Sequence, residues 1–312
     1  MNSRKYGLVS YAFGRGGTVL GCSRGPQAMI DRGLLRRLKS LSLDVVDYGS
    51  VDDSTLQFEF KEVSALCSSE EKKIVNLEPT YRSCRALSEK VSNVLADGRM
   101  PIVLGGDHSL SIGSVAGVSN HYQSKGQQIG LIWIDSHPDI NIVETSPSLK
   151  PYGMSVAILL GRMNGLLSSL QKFSPAISKE HLVFIGLRDV DPGEKEFLRQ
   201  SGIKAFSMKE IDRIGLAEVT RQAIDIASKG TAGFVASFDL DVCDPEFTPA
   251  IGTPVRGGLT YRESHLILEM IADSKGLLSF EMLELNPRLD KDYQTTDLAI
   301  ALTESALGRS IL

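Results

Sequence analysis

A chain of 312 residues with 42% hydrophobic content can build one large α/β domain, or two small ones, with ample core. Charged residues make up 23%, and 34 basic residues against 38 acidic ones leave a net charge of −4. That balance, with no arginine-rich run and no basic stripe interleaved with aromatics, argues against nucleic acid as a partner.

Along the chain, short apolar runs alternate with stretches of helical spacing. Strands are predicted at Tyr6–Ala12, Leu43–Tyr48, Pro101–Leu104, Ile129–Ile134, Leu182–Gly186, Ile203–Phe206, Gly233–Phe238 and Leu277–Leu283. Helices are predicted at Pro26–Leu41, Glu78–Leu95, Ser109–Val118, Ala217–Ser228, Tyr261–Asp273 and Thr296–Leu307, the first opening on a proline suited to a first turn. The alternation is that of a parallel sheet covered on both faces. No repeat, low-complexity tract or charged linker divides the chain, so residues 1–312 read as one domain. Long loops are expected at Gly14–Gly25, Asp139–Tyr152 and Asp241–Gly258, and long loops in a compact domain often carry function. Gly14-Arg15-Gly16-Gly17 lacks the Gly-Lys-Ser/Thr ending of a phosphate loop and has Val19 where a dinucleotide fingerprint needs glycine. It reads as a tight turn.

The four cysteines, Cys22, Cys67, Cys84 and Cys243, show no Cys-x-x-Cys spacing, so free thiols in a reducing compartment are expected. Met1–Gly14 lacks the basic start and apolar core of a signal peptide. No apolar run approaches the roughly 18 residues of a spanning helix. The expectation is a cytoplasmic protein that does not cross a membrane.

Three predicted strands end abruptly in ionisable residues, where ligands of open α/β sheets bind. Pro101–Leu104 runs into Gly105-Gly106-Asp107-His108-Ser109, Leu131–Ile134 into Asp135-Ser136-His137-Pro138-Asp139, and Phe234–Phe238 into Asp239-Leu240-Asp241. Extended chain points residues i, i+2 and i+4 to one side, so Asp135, His137 and Asp139 can face one point, as can Asp239 and Asp241. An isolated Asp-x-Asp is more often a cap or a loop, and a lone histidine such as His121, His181 or His265 more often sits on the surface or in the core. The weight lies in three clusters occurring together. Converging carboxylates repel one another and are costly to desolvate. These motifs contain no lysine or arginine, so divalent cations are the natural partner. Four carboxylates with His108 and His137 exceed the needs of one structural zinc. They suit a bridged pair of ions with oxygen and imidazole ligands, which favours manganese over zinc or calcium.

These motifs resemble those of the arginase family, the ureohydrolases, and the resemblance spans nearly the whole chain. It extends to Asp244-Pro245-x-Phe247-Thr248-Pro249-Ala250-x-Gly252-Thr253-Pro254, to Gly257-Gly258-Leu259-Thr260-Tyr261-Arg262-Glu263 and to Glu284-Leu285-Asn286-Pro287. It implies a three-layer α/β fold of the arginase/deacetylase type, an eight-stranded, mostly parallel sheet with helices on both faces. It implies two Mn(II) ions held by His108, Asp135, His137, Asp139, Asp239 and Asp241. It also implies a bridging hydroxide that attacks a guanidinium carbon and releases urea. By the same resemblance Asp139 also moves a proton to the leaving amine, Glu284 orients the guanidinium, and Thr253 faces the substrate. The segment Gly186–Glu194 resembles the loop that holds the α-amino group of L-arginine, with Asp191 at the amine-binding position and Glu194 beside it. The same acids also suit a turn and the first turn of a helix. Asn141 and Ser148 match positions that bind an α-carboxylate, which agmatine lacks. Homotrimers or homohexamers are implied as well.

The chain departs from the family at Tyr152, where the family carries a proton-shuttling, substrate-contacting histidine. A phenol with a reference pKa of roughly 10 is a poor shuttle at neutral pH. The expectation is an arginase that works but is handicapped. The alternatives are a hydrolase of another guanidino substrate, of agmatinase or formiminoglutamase type, and a metal-binding homologue with little activity.

Overall fold

The structure, a computed structural model, describes residues 4–52 and 67–310. The elements in chain order are β1 (Lys5–Ala12), α1 (Gly25–Asp31), α2 (Leu34–Ser40), β2 (Asp44–Asp52), α3 (Leu77–Ala96), β3 (Met100–Leu104), α4 (Ser111–Gln123), β4 (Gly130–Ile134), α5 (Ser155–Leu159), β5 (Leu182–Leu187), α6 (Pro192–Ser201), β6 (Lys204–Ser207), α7 (Met208–Ile214), α8 (Leu216–Ser228), β7 (Phe234–Asp239), α9 (Tyr261–Asp273), β8 (Leu277–Leu283) and α10 (Gln294–Ala306). Every residue of β3, β4, β5, β7 and β8 is buried. Their sequences are therefore almost continuously apolar, as strands covered on two faces must be.

The eight strands form one sheet in the order β2-β1-β3-β8-β7-β4-β5-β6. Among the described residues all pairings are parallel, as the fold expectation has it. Side chains alternate between two cores. Val9, Tyr11, Val103, Leu131, Trp133 and Phe184 pack on one face with residues of α3, α4 and α5. Leu8, Ile102, Leu104, Ile132, Ile134 and Val183 pack on the other with residues of α1, α2, α8, α9 and α10. In α3 the buried series Leu77, Tyr81, Cys84, Leu87, Val91 and Val94 keeps helical spacing, which turns one stripe inward. Helix α4 crosses α3 closely. A Cβ at Gly113 would lie 2.2 Å from the Cys84 carbonyl oxygen, so only glycine permits that approach.

Several predicted bounds shift for local reasons. The helix expected over Pro26–Leu41 is split, because Gly33 adopts φ 101° between α1 and α2. The helix expected to begin at Ser109 starts at Ser111, after a tight 3-10 turn over His108–Leu110. The second strand begins at Asp44 and runs to Asp52. Helix α6 was expected only as a possible first turn, since its ten residues include few apolar ones; a capping box of Asp191 and Glu194 starts it. The capping box of Ser207 and Glu210 likewise starts the short α7, which the apolar pattern does not show. Among the described residues no helix is long and apolar enough to cross a membrane.

Candidate active site

Strands β3, β8, β7 and β4 are neighbours at the middle of the sheet. Their carboxyl ends deliver His108, Glu284, Asp239 and Asp135 to one crevice, where such sheets bind ligands. The extended geometry assumed for the two-residue spacing does not persist there. β4 stops at Ile134, and Asp239 caps a 3-10 turn over Leu240–Val242. Asp139 turns inward through a left-handed backbone, φ 48°. Its carbonyl accepts Val156 N at 2.9 Å, and Ile140 N donates to Glu194 Oε1 at 3.0 Å, which hold that turn.

All six residues converge. His108 Nδ1 lies 2.9 Å from Asp135 Oδ2, 3.0 Å from Asp239 Oδ2 and 3.3 Å from Asp139 Oδ2. His137 Nδ1 lies 3.0 Å from Asp241 Oδ2 and 3.5 Å from Asp135 Oδ1. Two ligand clusters result, His108–Asp135–Asp239 and Asp135–His137–Asp241, with Asp135 common to both. Backbone and hydroxyl donors fix the other carboxylate oxygens. Asp135 Oδ1 accepts His137 N at 2.7 Å, and Asp239 Oδ1 accepts Asp241 N at 2.8 Å. Asp241 Oδ1 accepts Ser136 N at 3.1 Å and Ser136 Oγ at 2.7 Å. The remaining oxygens are thereby aimed at shared space.

The donor set fits divalent cations. His108 Nδ1 and Asp135 Oδ2 are buried with no hydrogen-bond partner although they nearly touch, as lone pairs directed at a common ion would be. Electrostatics agree. Burial, then Asp241 and Asp135, push the Asp239 carboxyl up to about 7. Burial and Asp135 hold Asp139 well above the carboxylate range. Burial disfavours a charged His108, yet Asp135 and Asp239 outweigh it and raise the imidazole well above its ordinary value. Without an ion, His108 and His137 supply positive charge that lowers the Asp135 carboxyl, and a divalent cation can take the place of their protons.

Next to these clusters is a cavity of about 340 Å³. His137, Asp139, Asn141, Ser148, Tyr152, Asp191, Glu194 and Thr253 line it, so the expected substrate residues share one space. Asn141 Nδ2 donates to Asp191 Oδ2 at 2.8 Å and Thr253 Oγ1 to Asp241 Oδ2 at 3.0 Å. Ser148 Oγ accepts Lys150 N at 3.3 Å and keeps its own proton free to donate. Both oxygens of Glu194 are occupied, one by Ile140 N and one by Asp191 N, each at 3.0 Å. Glu194 is therefore a brace between the backbone beside a candidate ligand and the turn that opens α6. Glu284 is buried behind the cavity, with Oε1 accepting His108 N at 2.9 Å. Burial, then Asp239 and Asp107, raise its carboxyl well above the usual range.

Tyr152 is half-buried and its hydroxyl meets Thr18 Oγ1 at 3.0 Å. Burial, against the Thr18 contact, raises its pKa above that of an ordinary tyrosine, with Asp139 and Glu284 adding to the rise. The Gly14–Gly17 turn lies against this wall. Lys150 Nζ donates to Gly17 O at 2.7 Å and Gly16 N to Asp107 Oδ2 at 2.9 Å.

Asp107 and Arg188 escaped the sequence reading. Asp107 is fully buried and also accepts Ser109 N at 3.1 Å, capping the turn that carries His108. Its signal was the Asp-x-Ser spacing before a helix. Arg188 donates to the carbonyls of Asp241 and Val255, at 2.6 and 2.8 Å, and so ties the Asp241 turn to the loop after Thr253. A lone cation at a strand end carries no comparable signal.

Fold and site together define a class of α/β proteins with paired metal-ligand clusters at the carboxyl edge of a parallel sheet. The family model described as "Arginase family" matches residues 4–308. An arginase of Bacillus caldovelox is 40% identical over 305 residues, 98% of each chain. The native structure of a Bacillus caldovelox arginase superposes with a TM-score of 0.90 at 38% identity, covering 99% of this chain and 100% of that one. An Entamoeba histolytica arginase, solved with L-ornithine, gives 0.87 at 25% identity, over 99% of this chain and all of the other. The chain belongs to the arginase family.

Proposed function

We propose that this chain hydrolyses L-arginine to L-ornithine and urea, using two Mn(II) ions held by His108, Asp135, His137, Asp139, Asp239 and Asp241. The observation that carries this reading is that two clusters sharing Asp135 adjoin a cavity whose wall presents Asp191, Asn141 and Ser148. Held by these residues, divalent cations would lower the pKa of water enough to supply hydroxide at neutral pH. The protein supplies the rest. Asp191 accepts from the α-ammonium, and Asn141 and Ser148 donate to the α-carboxylate, which fixes the amino-acid end. Glu284 keeps Oε2 for the guanidinium, since Oε1 is committed to His108 N. Asp139, itself one of the six ligands, can take up the proton that the attacking hydroxide gives up and pass it to the departing δ-amine as the C–N bond breaks.

The test is urea release from metal-loaded protein, with L-arginine beside agmatine over a pH series. Arginine should be strongly preferred. No urea at any pH, or preference for agmatine, overturns the reading. Tyr152 stays a neutral phenol and cannot exchange protons near neutrality as an imidazole does. Tyr152→His should therefore raise kcat; an unchanged or lower kcat would show the tyrosine adapted to another task. The family resemblance also supports residues 1–312 as one domain, assembled as a cytoplasmic homotrimer or homohexamer. Sedimentation velocity checks the assembly, and a monomer would remove it.

A further inference from the structure

Glu281 on β8 is fully buried in the sheet between β3 and β7. Among the described residues its partners are two serines of α4 and no cation. Ser111 Oγ donates to Oε2 at 2.6 Å, and Ser114 Oγ donates to Oε1. Burying a carboxyl this way is costly, and tying down the first turn of α4 needs no charge. The hydrogen bonds continue past Ser111. Its Oγ lies 3.4 Å from Ser237 Oγ on β7, and Ser237 Oγ lies 2.9 Å from His108 Nε2.

Proton counting gives the chain a direction. A serine has one hydroxyl proton. Ser111 directs its proton to Glu281, so toward Ser237 it can only accept. Ser237 then donates to Ser111 and accepts from His108. That places a proton on His108 Nε2, so Nδ1, which faces Asp135 and Asp239, is the nitrogen whose lone pair an ion would take. Trp133 fixes the plane of the same ring, stacked at 3.8 Å between centroids and 5° between planes.

We infer that Glu281 is a positioning residue that acts through Ser111 and Ser237 to hold His108 as an Nδ1 metal donor. The inference rests on the metal reading above. A carboxylate at the far end of such a chain strengthens the imidazole as a ligand and fixes its tautomer. Ser114 binds the other oxygen of Glu281 and lies off this path, so it serves as the internal control.

The test is Mn²⁺ titration by calorimetry of the metal-stripped protein, with melting of the metal-free form recorded beside it. Wild type should bind two equivalents. Ser237→Ala should weaken one equivalent about ten- to hundredfold and leave the other unchanged. Glu281→Gln should weaken the same equivalent about tenfold, and Ser114→Ala should stay within about twofold of wild type. The double variant Ser237→Ala/Glu281→Gln should bind no more weakly than Ser237→Ala alone, since the path is already cut. If Glu281→Gln fails to fold, Ser111→Ala takes its place in the same comparison. Unchanged binding in both single variants, losses that multiply in the double, or a Ser114→Ala loss equal to that of Glu281→Gln overturns the relay while wild type still binds two ions. Wild type that binds no Mn²⁺ overturns the metal reading and the relay with it.

Discussion

The floor and the wall of the crevice are built differently. On the floor, Asp135, Asp239 and Asp241 each have one oxygen locked by a backbone amide within the turns that follow β4 and β7. The turns cannot form without aiming the second oxygen inward. At the loop-borne part of the wall, Asn141 and Tyr152 reach their places through side-chain links, Asn141 to Asp191 and Tyr152 to Thr18. Such links can be changed one residue at a time without rebuilding a strand end. The floor thus holds the two ligand clusters in fixed turns, and the wall is where single side chains such as Tyr152 can vary. Each substitution below tests whether floor and wall differ in consequence as they do in construction.

The largest effect is expected at Asp135, the residue common to both clusters. Asp135→Asn keeps the shape but removes the charge facing His108. It should lower kcat by about a thousandfold or more and reduce bound metal, measured by urea release beside elemental analysis. Retained turnover would separate the clusters from the reaction. The wall should respond differently. Asp191→Asn keeps a good helix cap for α6, so the fold is spared. It weakens a charge-assisted bond worth roughly 1.5–3 kcal/mol, so KM for arginine should rise about ten- to hundredfold with kcat little changed. A fall in kcat with constant KM would move Asp191 from binding to chemistry.

The same contrast explains what could be read in the sequence. Strand-end motifs such as Asp135-x-His137-x-Asp139 are contiguous, so six convergent residues were visible before any fold was known. The route by which they converge was not visible. The spacing argued for extended chain, whereas the side chains meet through a 3-10 turn at Asp239 and a left-handed Asp139. Those conformations are imposed from afar, by Glu194 on Ile140 N and by α5 on the Asp139 carbonyl. The eight strands were legible because burial on two faces makes their sequences apolar. Helices α6 and α7 were not, because capping boxes rather than apolar stripes start them. Arg188 and the Glu281 path depend on contacts between distant strands, which periodicity does not encode.

Glu194 joins floor to wall and gives a pH-dependent test. Burial pushes its carboxyl up to about 7, against the lowering effect of the Asp191 and Ile140 amides. Folding therefore favours the neutral acid. The stability that Glu194 contributes is fully present below the ordinary glutamate pKa and is lost as pH rises through about 7. In metal-free protein, the stability gap between wild type and Glu194→Gln should shrink by roughly 1–3 kcal/mol between pH 4.5 and 7, by denaturant melts. A gap that widens with pH would show the ionised brace to be the favoured form.

The smallest effect belongs to Thr18. Its hydroxyl touches Tyr152 at the exposed rim of the cavity, 3.0 Å away, and Thr18→Val removes that bond while preserving shape. An exposed neutral hydrogen bond contributes about 0.5–1.5 kcal/mol, so kcat/KM for arginine should fall only about two- to tenfold, with both metal affinities intact. The Gly14–Gly17 turn is still held by Lys150 Nζ on Gly17 O and by Gly16 N on Asp107, which limits how far the rim can relax. A loss as large as that of Asp191→Asn would mean that the Tyr152–Thr18 contact places the substrate as firmly as the charged wall does. A loss confined to kcat would mean that the tyrosine hydroxyl takes part in the proton traffic despite its raised pKa. Either result would erase the difference between a rigid floor and an adaptable wall at Tyr152.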